Sequence, residues 1–210
     1  MCLPALTEQS SVAEPAAYVG RRVRRGLIGV AGLAATGVGS AFAVVTGRMT
    51  LDLRIGRQRR PLGPIDVTID APRHVVHAVI AEPYLKRPTH AMAAKLRVVE
   101  RGSDMVVAEH FTPIGSRLVA TTVESVRFSP PARVDFRLLR GPVPAVLESF
   151  ELDPTPDDGT RLHYQGTLET DLWYLGALWG RTVAKHWTTT VSQSLASIKA
   201  EAERRARHKR

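Results

Sequence analysis

Glu124 and Glu148 each stand between apolar neighbours in stretches where apolar and polar residues alternate. A carboxylate so placed has two readings. Turned inward, it is partly buried, its pKa is raised and it can exchange protons near neutral pH. Turned outward, it is a solvated residue on a sheet face. Tyr164, His110 and His163 sit in similar stretches and carry the same two readings. His186 stands in a helical stretch beside Trp187, where a hydrogen-bonded helix histidine is the simpler reading than a catalytic one. Glu124, Glu148 and Tyr164 are the candidate acid/base set. A second set has helical spacing: Gly176, Trp179, Val183 and Trp187 recur at three- and four-residue steps, as one stripe of a helix does. Gly176 and Gly180 would open space or allow close approach to a sheet. Trp179 and Trp187 are either core filler or the wall of a ligand cavity.

The remaining chemistry is sparse. The sequence holds no H-E-x-x-H, G-x-S-x-G, Walker A or G-x-G-x-x-G pattern. No His, Asp or Glu spacing suits a metal, and no cofactor is expected. Cys2, the single cysteine, excludes an internal disulfide and lies far from any candidate base.

The elements that position these residues follow from periodicity. Ile65–Ile69 alternates and predicts a strand, and Asp70-Ala71-Pro72 predicts a helix start carried on by Val75, Val76, Val79 and Ile80. Pro83 and Pro88 bracket a further short turn or helix. From Lys95 to Thr170 the period is two, which predicts strands at 95–100, 105–112, 117–128, 133–140, 145–152 and 160–169. Arg101–Asp104, Pro113–Gly115, Pro130-Pro131, Gly141-Pro142 and Asp157–Gly159 supply the turns. Connections this short imply an antiparallel meander. From Leu172 to about Arg205 the chain has no proline and keeps a helical period, which predicts a long helix over one face of the sheet.

Charge is unevenly placed. The net charge is +9, yet residues 65–200 carry 15 basic and 15 acidic side chains. The excess lies in residues 1–64, with 9 basic and 3 acidic, and in residues 201–210, with 5 and 2. A nucleic-acid-binding body would be basic, so no nucleic-acid partner is expected. Basic ends suit an anionic membrane surface. Arg21, Arg22, Arg24 and Arg25 precede an uncharged run from Gly26 to Thr46 or Gly47, about the ~20 residues a transmembrane helix needs. The expected plan is a flexible leader (1–20), a basic flank and single-pass membrane or signal-anchor helix (21–47), a basic linker (48–64), a folded domain (65–205) and a basic tail (206–210). The sharp alternative is an exported protein with a cleaved twin-arginine signal, read from Arg24-Arg25-Gly26-Leu27-Ile28 and Ala41-Phe42-Ala43. Arginines on both flanks of the run leave its orientation open.

Several segments resemble the START-like, or SRPBCC, superfamily, whose members include polyketide cyclases/dehydrases and lipid-transport proteins. These are Ile69-Asp70-Ala71-Pro72 running into an apolar helix, Val126–Phe136 as a central hairpin, and Ser149-Phe150-Glu151-Leu152 followed by Asp158-Gly159-Thr160-Arg161-Leu162. The resemblance covers about residues 65–200 and leaves the N-terminal run outside the pattern. It implies an α+β helix-grip fold: a curved antiparallel seven-stranded sheet around a long C-terminal helix, here preceded by one transmembrane helix. It further implies an internal apolar cavity for a hydrophobic small molecule or lipid. Three functions compete: a membrane-tethered module that binds or transfers a lipid-, quinone- or polyketide-like ligand, a cyclase/dehydrase-type enzyme, and a non-enzymatic partner of a membrane complex.

Overall fold

The computed structural model of the protein describes residues 39–86, 94–114 and 118–208. The chain divides at Ser40: Met1–Ser40 is one unit, of which only the helical residues 39 and 40 are described, and Ala41–Arg210 is the other. Most of the expected span from Gly26 lies outside the described residues. Among those described, no helix is long and apolar enough to cross a membrane.

The second unit runs β1 (Gln58–Ile69), α1 (Arg73–Leu85), β2 (Leu96–Arg101), β3 (Met105–Ile114), β4 (Leu118–Ser129), β5 (Arg133–Arg140), β6 (Ala145–Pro154), β7 (Thr160–Thr170) and α2 (Trp173–Arg207). The strands form one antiparallel sheet in the order β1-β7-β6-β5-β4-β3-β2. Strands β2 to β7 are sequential hairpins, as the short turns require. The sixth of the expected strands, 160–169, and its neighbours fall within two residues of their predicted bounds.

Alternation decides which sheet face is covered. Val106, Ala108, Val126, Phe128, Val134, Leu138, Val146, Phe150, Leu152, Leu162 and Leu168 are buried on the concave side. Arg97, Arg127, Arg133, Arg137 and Arg161 alternate with them and face outward. Each fully buried leucine of this set contributes about 1.5–3 kcal/mol of transfer free energy. Helix α2, 35 residues long and so about 52 Å, lies across the concave side with Val183, Ala184, Leu195, Ala202 and Ala206 buried. Its last turn carries Arg204, Arg205 and Arg207, the sign its dipole favours. Arg205 bonds Glu82 of α1 and Glu201 of its own helix, which fixes α1 beside the C-terminal half of α2. Helix α1 starts from Pro72, whose carbonyl accepts from Val75 and Val76 N–H, and it carries Pro83 inside its last turns. The short turn or helix expected between Pro83 and Pro88 is, as far as Leu85, the end of α1 itself; beyond Lys86 that stretch lies outside the described residues.

Two boundaries are corrected. Strand β1 begins at Gln58, seven residues before the expected Ile65, with an irregularity between Leu62 and Ile65 where Gly63 takes φ +86°. An edge strand tolerates Pro61 and Pro64 because its outer N–H groups have no ladder partner. Nor are residues 48–57 a free linker. Thr50 Oγ1 donates to Gly141 O (2.9 Å) and accepts from Gly141 N (2.7 Å). Asp171 Oδ2 accepts from Leu53 N (2.7 Å) and Arg54 N (3.0 Å), and Arg57 Nε donates to Oδ1 (2.8 Å). Ile55 O and Gly56 O accept from Leu172 and Trp173 N–H. The Arg57 side chain is thus fastened by Asp171 and Glu169 of the domain. The end of the uncharged run belongs to the body too: Thr46 is 3% exposed and its carbonyl accepts from Thr121 N–H. Residues 46–57 form a strap across one end of the sheet.

Candidate functional site

The concave face turns His110, Thr122, Glu124, Glu148 and Tyr164 of the alternating strands inward. Glu124 on β4 is 5% exposed. Its Oε2 lies 2.9 Å from His110 Nδ1 on β3, and its Oε1 accepts from Thr122 Oγ1 at 2.8 Å. The other nitrogen of His110, Nε2, lies 3.1 Å from the hydroxyl of Tyr84, which α1 supplies. The result is a chain Thr122–Glu124–His110–Tyr84 across three elements. Burial alone would lower the His110 pKa, but the carboxylates of Glu124 and Glu148 outweigh it and the net direction is up. Burial opposes ionisation of Glu124 too, yet the His110 charge and hydrogen bond and the Thr122 hydroxyl hold it below the usual range. Both shifts favour the charged form, of His110 and Glu124 alike, inside a largely apolar shell, a costly arrangement that only good geometry sustains. A protonated His110 donates both ring N–H groups, one to Glu124 and one to the Tyr84 oxygen. The Tyr84 hydroxyl hydrogen is then left to point at a third acceptor. Burial, then the carboxylates of Glu124 and Glu148, raise the Tyr84 pKa, so this group stays a donor.

Glu148 on β6 forms the second cluster. Tyr164 on β7 and the Trp187 indole of α2 both donate to one oxygen, Oε1, at 2.5 and 2.8 Å. Burial first, and then the charge of Glu124, push the Glu148 carboxyl up to about 7, against the pull of the Tyr164 and Trp187 hydrogen bonds. Tyr164 is fully buried and its pKa is raised by burial and by Glu148. Across the strand pair, Gly166 faces Glu148; a Cβ there would lie 3.0 Å from Glu148 Cγ. The missing side chain gives the carboxylate its place.

Rings pave the floor between the two clusters. His77, Phe128, Tyr84, Phe136, Phe150 and Tyr164 follow one another with successive centroids 5.2 to 6.4 Å apart, tilted or edge-on, the arrangement aromatic quadrupoles favour. His77 Nε2 is buried with no hydrogen-bond partner among the described residues, and burial lowers the His77 pKa. His110, Phe136, Glu148 and Trp187 are only half-buried. Three clefts of about 800, 590 and 310 Å³ open instead on the outer side of α2, on the convex sheet face and at the α1–α2 seam. None of the three is the expected hollow between sheet and helix. Among the described residues no three of His, Cys, Asp and Glu converge as a metal site.

The residues singled out by sequence divide accordingly. Glu124, Glu148, Tyr164 and His110 come together on the concave face. His163 points outward to Asp66 at 3.0 Å, and His186 is exposed. Of the helical stripe, only Trp187 reaches the polar cluster. Trp179 donates to Pro142 O at 2.8 Å, Val183 lies in the core, and Gly176 is a close-approach residue rather than cavity lining: a Cβ there would lie 1.7 Å from Asp171 O. Tyr84 and Thr122 were not singled out. Thr122, at the same alternation as Glu124, was open to discovery; Tyr84 followed a proline in an element whose end the pattern left undefined.

No family model and no curated protein matches the sequence. Solved structures do. Norcoclaurine synthase from Thalictrum flavum, solved with dopamine and hydroxybenzaldehyde, matches at 12% identity and a TM-score of 0.54, over 70% of this chain and 87% of that one. The Zhui aromatase/cyclase from Streptomyces sp. R1128 matches at 16% and 0.52, over 71% and 95%. TTHA0849 from Thermus thermophilus matches at 19% and 0.52, over 70% and 96%. At these identities the likeness shows the fold alone. The chain has the helix-grip-like α+β fold, the one the START-like resemblance implied.

Proposed function

We propose that the domain binds an apolar, oxygen-bearing aromatic or polyketide-like molecule on the concave face and that Glu148 moves a proton on it. One observation carries this reading: a carboxyl held near pKa 7 by burial, with both protein donors on Oε1, beside a floor of aromatic rings. A group titrating at the working pH is both an effective acid and an effective base. With a ketone bound on the rings, the Glu148 carboxylate takes a proton from the carbon next to the carbonyl. The C–H electron pair passes to the carbonyl oxygen as an enolate, which the Tyr84 hydroxyl can face, and the proton returns from the Glu148 carboxyl. The fold shared with the Zhui aromatase/cyclase and with norcoclaurine synthase supports the reading without fixing the substrate. A carrier that only dissolves a lipid has no need of a buried ion pair and a neutral-range carboxyl.

The test uses 2-tetralone, an apolar aromatic ketone, with the full chain in deuterated buffer. Deuterium enters the activated ring position faster with protein than without, and the rate rises with pH around 7. Glu148→Gln, which keeps an acceptor for Tyr164 and Trp187, lowers that rate by about 10²–10⁴. An unchanged rate in Glu148→Gln refutes the proton-transfer role; the absence of any 2-tetralone binding removes the ligand reading with it. The uncharged run from Gly26 behind four arginines supports a location at a membrane, where poorly soluble substrates collect.

A further inference from the structure

Where α2 begins, large apolar side chains face out of the molecule. Trp173, Tyr174 and Leu175 are 61%, 73% and 67% exposed, and Leu178 follows one turn on, exposed as well. The strap beside them adds Met49, Leu51, Leu53 and Ile55, and Phe42 precedes it, all exposed. These segments are held together: Leu172 and Trp173 N–H donate to Ile55 O and Gly56 O, and the Trp173 ring lies so close over Gly56 that a Cβ there would come within 2.3 Å. The backbone is strained to achieve this, with Leu172 at φ +69° and Trp173 at φ +46°, a region that costs a bulky L-residue of order 1–3 kcal/mol. Single exposed leucines need no explanation, but a joined set of this size marks a surface that leaves water.

The same face of α2 then changes character. Arg181 and Lys185 follow Tyr174 and Leu178 at seven-residue steps, and together with Arg60 they line the open groove of about 800 Å³ whose floor carries Thr188 and Thr189. An apolar tip bearing Trp and Tyr, backed by long cationic side chains one to two turns away, is the order in which a bilayer interface is layered: rings at the headgroup level, cations reaching to the phosphates.

We propose that this face, Trp173–Leu178 with the strap, lies in the interface of an anionic bilayer with Arg181, Lys185 and Arg60 at the lipid phosphates. It rests on the membrane location proposed above. Two observations favour lipid over a second copy of the chain. The uncharged run from Gly26 continues in sequence into Phe42 and the strap, so the proposed membrane segment is covalently joined to this face. The flanking charge is cationic and matches anionic headgroups, whereas a second copy would set it against itself.

The test is reconstitution of the full chain into phosphatidylcholine vesicles, with and without phosphatidylglycerol, whose acyl chains carry bromine near the carbonyls. Bromine quenches tryptophan on contact. Trp173 is the exposed indole, Trp179 and Trp187 being half-buried and hydrogen-bonded. Quenching is expected in the wild type, mostly lost in Trp173→Phe, and weakened by omitting phosphatidylglycerol or by Arg181→Gln with Lys185→Gln. A second probe avoids reliance on Trp173: Tyr174→Cys in a Cys2→Ser background, labelled with an environment-sensitive fluorophore, is quenched by the same lipids. A chain that floats with vesicles but shows equal quenching in wild type and Trp173→Phe, and none at the label on position 174, overturns the docking face and leaves the location standing. A chain that does not float overturns both.

Discussion

At the scale of single residues the two inward carboxylates have opposite fates. Glu148 has an ordinary value of 4.5 and is pushed up to about 7, so the folded protein keeps its proton where the unfolded chain has lost it. Its contribution is therefore full below about pH 4.5 and is withdrawn as pH rises from there to about 7. Melting the wild type and Glu148→Gln across that window should show the wild type losing stability relative to the variant as pH rises; parallel curves would contradict the assignment. Glu124 is instead kept charged by His110. Glu124→Gln removes the carboxylate that outweighs burial at His110, so the His110 pKa, raised above 6.5 in the wild type, should fall below it, which proton NMR of the imidazole reads directly. His110→Ala leaves Glu124 buried with only Thr122, and breaking a buried pair from one side costs about 3–5 kcal/mol; chemical denaturation measures it. The sequence made Glu124, Glu148 and Tyr164 visible as polar residues at inward-compatible positions. It did not reveal which way they turn, because one residue of register reverses every side chain in a strand.

At the scale of elements, strands and the long helix were legible because their two periods differ and because Gly and Pro punctuate the hairpins. The strap was not legible. Residues 48–57 have no period, and their basic side chains suggested solvent. What orders them are Gly141 and Asp171, 91 to 118 residues away in sequence, partners that no local pattern exposes. Asp171 bears hydrogen bonds from Leu53, Arg54 and Arg57, and these hold its carboxyl below the usual range together with the Arg57 charge. Asp171→Asn keeps one acceptor but loses the charge. Amide hydrogens of residues 50–57 should then exchange faster while those of β6 and β7 stay protected, which hydrogen-exchange mass spectrometry resolves. The glycines of α2 separate two kinds of contact. Gly176 approaches backbone, where nothing can give way, and Gly180 approaches the Thr170 side chain at 3.2 Å. Gly176→Ala should destabilise by more than ~2 kcal/mol, while Gly180→Ala should stay within about 1, since alanine also favours a helix by up to ~1 kcal/mol.

At the scale of the whole molecule, the charge map, the exposed apolar end and the half-buried interior point one way. A body whose excess positive charge lies on the strap, β1 and the end of α2, with a greasy rim beside it, is suited to take an apolar molecule from a boundary and hold it out of water. On the concave face the Phe136 and Phe150 rings lie 5.2 Å apart, and Trp187 packs against the same core. A flat ring system can slide onto such a floor with small side-chain motions, whereas two long acyl chains would have to displace rings that each bury a large area. Flat aromatic ligands should therefore stabilise the protein and diacyl lipids should not do so through this site. A ligand at a hundred times its dissociation constant adds about 2.7 kcal/mol of stability, roughly 5–10 °C in melting temperature for a chain of this size. Thermal unfolding of the full chain with hydroxylated naphthalenes and with short-chain diacyl phospholipids compares the two classes. Below pH 7 the neutral Glu148 carboxyl can donate to a ligand oxygen, so the shift given by the hydroxylated naphthalenes should shrink as pH rises through about 7 and should be flat in Glu148→Gln. Equal shifts from the phospholipid in Trp187→Phe and wild type, with none from the naphthalenes, would move the ligand away from the concave face and make Glu148 a structural acid.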